Sequence, residues 1–114
     1  MLERHHKQIH YDCLDLCDFS WHGTRASNVA GSESAILLEV WHAGGLFQTT
    51  QAVPKRAKVL IGAASSGEQV EGSVHSCRED AYGFLVEVHV SNPAKWFPAV
   101  YQPPYLTRQT RVAA

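Results

Sequence analysis

The sequence predicts an all-β domain, an antiparallel barrel or sandwich of about six short strands. Three observations predict it. Apolar and polar residues alternate with a period of two in short runs. Glycine, proline, asparagine and aspartate clusters interrupt those runs at close intervals. Pro98, Pro103 and Pro104 prevent a long helix in the one segment that lacks strand alternation.

The elements follow in order. Met1 to His10 is polar and His-rich and reads as a flexible lead-in. Tyr11 to Phe19 alternates, with Tyr11, Cys13, Asp15 and Cys17 on one side and Leu14 and Leu16 on the other. It reads as a half-buried strand, and Asp12, Asp15 and Asp18 suggest an edge position. Ser20 to Ser34 is rich in Gly, Ser, Asn and Ala and reads as a long loop. Ser34 to Val40 is a buried strand that runs into a Gly44-Gly45 turn, and Gly45 to Thr50 is a short strand leaving it. Glycines at such a point let the backbone take positive φ or let another group approach closely.

Pro54, Lys55 and Arg56 form the next turn, before Ala57 to Ile61, where Val59 and Ile61 alternate with Lys58 and Leu60. After a loop at Gly62 to Gly67, Gln69 to Cys77 places Val70, Gly72, Val74 and Ser76 on one face. Glu79 to Gly83 is a tight reversal into Phe84 to Val90, with Phe84, Val86, Val88 and Val90 facing one way. Beyond Asn92-Pro93 the tail differs in kind. Ala94 to Phe97 has the makings of one helical turn, and Trp96, Phe97, Tyr101, Tyr105 and Leu106 are too apolar for a free tail. The organisation expected is a flexible segment 1–10, a β domain 11–90 and a C-terminal segment 91–114 packed on it with a frayed end. Trp96 is expected in the core. Tyr101 and Tyr105 suit either the core or a partner-binding patch.

The chain has 114 residues, enough for a single core without staples. It is 45% apolar and 18% charged, which suits an ordered domain rather than a disordered one. A formal net charge of -1 argues against a nucleic-acid polymer as partner. No apolar run is long enough for a membrane-spanning helix, and the N-terminus lacks the apolar centre of a signal peptide. Three cysteines, an odd number, read as reduced thiols and point to the cytoplasm.

Glu39-x-Trp41-x-x-Gly44, continued by Gly45-Leu46-Phe47, resembles the central [D/N]-x-S-x-x-G signature of PilZ domains. Pro54 to Ile61 resembles that family's turn and following strand, and Glu68 to Val90 its closing hairpin. Arg4-His5-His6-Lys7 is the counterpart of the family's R-x-x-x-R motif, with its basic pair one residue closer and Lys as the second member. The resemblance implies a six-stranded antiparallel PilZ-like β-barrel with a short aromatic and proline-rich C-terminal segment. It further implies a non-enzymatic regulatory module of bacterial cyclic di-GMP signalling, whose ligand lies between the N-terminal basic segment and the Glu39–Gly45 turn. Arg4, Lys7, Glu39, Trp41 and Gly44 are then the ligand-binding residues.

The departures from the motif carry chemistry of their own. Arginine pairs with phosphate through a flat fork and stacks on guanine, whereas Lys7 is a point charge. Glu39 repels phosphate unless neutralised. Trp41 replaces a small serine, and it either plugs the surface against the N-terminal segment or stacks a guanine with help from Arg4, Lys7 or Arg25. These departures make a second reading as strong as the first, a PilZ-like protein-interaction adaptor that has lost nucleotide binding, with an unidentified protein partner.

Other chemistry is less supported. His5, His6, His10, Cys13, Cys17 and His22 are ligand types for zinc. However, positions i and i+4 of a regular strand are roughly 13 Å apart, too far for one ion. No metal or cofactor is therefore expected. No nucleophile elbow, H-E-x-x-H, phosphate-binding loop or dinucleotide fingerprint occurs, and the chain does not read as an enzyme.

Overall fold

The computed structural model describes residues 7–23, 30–63, 67–100 and 107–112. They form β1 (Lys7–Trp21), β2 (Gly31–Trp41), β3 (Gly44–Thr49), β4 (Lys58–Ala63), β5 (Gln69–Asp80), β6 (Gly83–Val90), helix α1 (Pro93–Val100) and β7 (Thr107–Val112). The protein is mostly antiparallel β with one short helix. The sheet order is β2-β3-β6-β5-β4-β1-β7, and a further β1–β2 pairing closes the first six into a ring.

The length of β1 explains how a seventh strand joins. One edge of β1 pairs with β2 from Tyr11 to Trp21. On its other edge Cys17–Trp21 pairs with β4, which leaves Lys7–Asp12 free to pair with β7. β1 is thus paired on both sides, and the edge position expected from its aspartates is not observed. Asp18 is accommodated because it alternates outward, exposed, between the buried Cys17 and Phe19. β1 also begins at Lys7, so the strand takes in the end of the stretch read as a lead-in.

The alternating side chains meet inside the ring. Phe19, Leu37, Phe47, Ile61, Val86 and Val88 are all buried in one cluster, each on the inward phase of its strand. The Phe19 and Phe47 ring centroids lie 5.0 Å apart, and Trp96 extends this tilted aromatic row 6.2 Å from Phe47. Trp96 arrives on α1, which packs against β2 and β3. This helix is longer than the single turn anticipated, and it begins at Pro93, where a missing N–H costs nothing. Asn92 O accepts from Lys95 N and Trp96 N in its first turn. Among the described residues no helix is long and apolar enough to cross a membrane.

Two boundaries differ from expectation for the same reason. β2 begins at Gly31 inside the predicted loop, and β5 continues past Cys77 to Asp80. Both extensions carry polar outward residues, such as Ser32 and Glu79, that composition alone assigns to loops. Glu33 secures the first extension. Its carboxylate accepts hydrogen bonds from Thr50 N at 2.7 Å and Gln51 N at 3.1 Å, which ties β2 to the end of β3. At the β5–β6 hairpin Asp80 Oδ1 accepts from Tyr82 N at 2.9 Å, an aspartate turn at the predicted reversal.

Candidate functional site

The site is the corner where β2 turns into β3. His42 and Ala43 make the turn itself, and Gly44 and Gly45 are the first residues of β3. The paired glycines are therefore not the turn, and neither has positive φ. What they provide is close approach. A Cβ on Gly44 would lie 2.0 Å from Val88 O, on the neighbouring strand β6. One on Gly45 would lie 2.8 Å from Leu37 Cδ1 and 3.1 Å from Trp96 Cζ2. The indole of Trp96 fills the space these glycines leave, and its Nε1–H donates to Gly44 O at 2.8 Å and Trp41 O at 3.1 Å. α1 is thereby pinned to both sides of the corner.

Residues on the opposite face form the surface that the motif would offer a ligand. Val40 points into the core, so Glu39 and Trp41 on either side of it point away. A bulge between Leu37 and Glu39 sets that phase, since two residues of β2 advance there for one of β3. Trp41 is nonetheless only 6% exposed, although it does not belong to the core cluster. His10 covers it. The two rings stack at 4.4 Å between centroids and 13° between planes. The His10 Nδ1–H donates to Glu39 Oε1 at 3.0 Å, with side-chain exposures of only 17% and 14% for the pair.

This arrangement brings together Glu39, Trp41 and Gly44 from the expected set and adds His10, which sequence reasoning weighed only as a metal ligand. The strand register brings it there. Tyr11 pairs with Val40 and Asp12 with Glu39, and one further step along that register sets His10 opposite Trp41. Lys7 opens β1, paired with Val112. Arg4, Arg25, His5, His6, Tyr101, Tyr105 and Leu106 lie outside the described residues.

Among the described residues the thiols do not form a ligand set with the histidines. Cys17 is buried in the core, and Cys13 Sγ donates to Leu37 O at 3.5 Å. Burial pushes both thiols up to about 12, helped by the neighbouring Asp15 carboxylate. Both therefore stay protonated near neutral pH, and a protonated thiol is a poor metal ligand and a poor nucleophile. All three cysteines are free.

What the corner can do follows from these contacts. It offers a flat, covered indole, a carboxylate already engaged by an imidazole, and a glycine pair closed from within by a second indole. It holds no preformed anion cradle among the described residues. No family model matches the chain, and no curated protein matches it.

Proposed function

We propose that the six-strand ring is a PilZ-like β-barrel, and that the protein is a non-enzymatic, PilZ-like interaction adaptor of bacterial cytoplasm. The observation that carries this reading is the His10 lid on Trp41 and Glu39. Both positions at which the motif departs from the nucleotide-binding pattern are taken up by the chain's own N-terminal strand. Baring Trp41 for a guanine requires breaking an aromatic stack of about 0.5–1.5 kcal/mol and a hydrogen bond to a charged group of about 1.5–3 kcal/mol. That sum, roughly 2–4.5 kcal/mol, weakens a ligand about 30- to 1,600-fold.

A surface suited to protein contact lies on the same two strands. Leu14 and Leu16 of β1 are 80% and 61% exposed, and Ile36, the registered partner of Leu16, is 38% exposed. The strand also carries Asp12, Asp15 and Asp18, which disfavours nucleic acids and anionic headgroups and suits a partner with an apolar face and a basic rim.

The cyclic di-GMP reading has one observation in its favour. β1, which begins at Lys7, runs alongside the β2–β3 corner, with Tyr11 opposite Val40. Calorimetry separates the two. The adaptor reading expects no heat from the wild-type chain at high micromolar cyclic di-GMP, and a partner that crosslinks to wild type but not to a folded Leu16→Asp variant. Saturable heat that is lost in Arg4→Ala would establish the nucleotide reading in its place.

A further inference from the structure

A second cluster of chemistry-bearing side chains lies on the outer face of β5 and β6, away from the β2–β3 corner. His75, Glu87 and His89 bring three donor atoms within 4.8 Å of one another. The His75 and His89 rings stack at 4.3 Å and 11°. His89 Nε2 and Glu87 Oε2 are 2.9 Å apart.

The strand register accounts for this convergence. Val74 pairs with Val88, and both are buried, so His75, Glu87 and His89 fall on the outward phase. In a regular ladder His75 would sit opposite Glu87, with His89 as a diagonal neighbour about 7–8 Å away. The ladder is not regular here. A bulge between Val74 and Ser76 gives β5 one residue more than β6, and Ser76 takes the place opposite Glu87. His75 is the extra residue, and a bulged residue is re-aimed out of the ladder. Its ring accordingly reaches His89 while its strand position keeps it beside Glu87.

We infer that His75, Glu87 and His89 form a binding site for a divalent transition-metal cation of the zinc, nickel or copper class. Two imidazoles and one carboxylate are a donor set that such ions prefer, whereas calcium and magnesium favour all-oxygen sets. Bonds of about 2.0–2.2 Å to nitrogen and oxygen place neighbouring donors about 3–3.5 Å apart in a tetrahedral shell. The His89–Glu87 pair, at 2.9 Å, sits slightly closer than that spacing. The separations, all within 4.8 Å, close by rotation of partly exposed side chains, since His89 is 48% and Glu87 34% exposed. Stacked imidazoles direct their lone pairs along parallel planes, so chelation splays the His75–His89 stack. The open outer face leaves the remaining coordination positions to water or to a donor from another molecule.

The test is a zinc titration of the full, tag-free chain, followed by calorimetry and by the imidazole nitrogen shifts of the seven histidines. The expected result is one equivalent of zinc that shifts the His75 and His89 resonances. His75→Ala, His89→Ala and Glu87→Gln should each weaken it about tenfold or more, since even outer-shell partners contribute that much. The His5→Ala/His6→Ala double variant should bind as wild type does. All four variants alter outward or N-terminal side chains, and thermal melts without metal check that each is folded. Undiminished zinc binding in His89→Ala overturns the assignment, and so does loss of binding in the His5→Ala/His6→Ala variant.

Discussion

The contact between Gly45 and Trp96 makes a prediction whose size follows from two distances. A methyl on Gly45 would meet Trp96 Cζ2 at 3.1 Å and Leu37 Cδ1 at 2.8 Å, with Glu39 O at 3.2 Å. Trp96 is fully buried and Leu37 is fully buried, so neither can swing into solvent. Gly45→Ala should therefore carry the cost of an overpacked core, about 1–3 kcal/mol. Trp96→Phe should cost about 2–4 kcal/mol by a different route. It removes the N–H shared between Gly44 O and Trp41 O, worth about 1 kcal/mol, and part of a large buried ring. The phenyl ring also vacates the space the new methyl needs. In the double variant the Gly45→Ala cost should fall by at least about 0.5 kcal/mol relative to wild type, the coupling expected of touching residues. Urea unfolding followed by far-ultraviolet circular dichroism measures all four corners of the cycle. Strict additivity within error would refute the reasoning, because it would mean that the indole does not occupy the space above Gly45.

Three further outcomes are expected. Gly44→Ala should cost more than about 3 kcal/mol, above the usual range for overpacking, because the obstructing atom is the Val88 backbone oxygen rather than a side chain; recovery of a well-folded variant with a wild-type melt would contradict it. Arg56 holds φ at 73° in the turn before β4, so Arg56→Gly should relieve about 1–2 kcal/mol of left-handed strain against about 0.5–1 kcal/mol of added backbone entropy. The result should be a slightly higher urea midpoint with an unchanged slope. Finally, the Cys13 and Cys17 thiols titrate higher when folded, at about 12 against 9 for the exposed group. Their contribution to stability is therefore whole below about pH 9 and lost as pH rises from there toward 12, because the unfolded chain loses its thiol protons first. A Cys13→Ala/Cys17→Ala chain should show a shallower fall in stability over that window, and wild-type thiols should alkylate much more slowly at pH 8 when folded than in urea.

Alternation made the closing half of the sheet readable. Val59 and Ile61, and Val86 and Val88, are buried on the phase their spacing indicates, because each short run lies between strong turn residues. Trp96 was legible in a different way, as a residue too large and apolar to leave in solvent. The first strands were harder. Ser32 and Glu33 form strand because of what they pair with, Ser20 and Phe19, and no local preference announces that. The glycine pair was visible as a place of close approach, but its visitor, an indole more than fifty residues later, was not. His10 and the His75–Glu87–His89 cluster share one difficulty. Both depend on cross-strand register, and in the second case on a bulge, which no periodicity within a single strand encodes.

The bond from Trp96 to the backbone of Trp41 and Gly44 joins the last helix to the corner that the motif singles out. The docked Trp96 indole holds the corner from within. The covered indole outside belongs to Trp41, and the pinning indole inside holds the backbone carbonyl of that same residue. Linkage between them is reciprocal in free energy. Whatever pulls α1 from its seat loosens the surface beneath His10, and whatever clamps that surface holds α1 in place. α1 is in this sense a handle on the β2–β3 corner, reached through the Trp96 side chain.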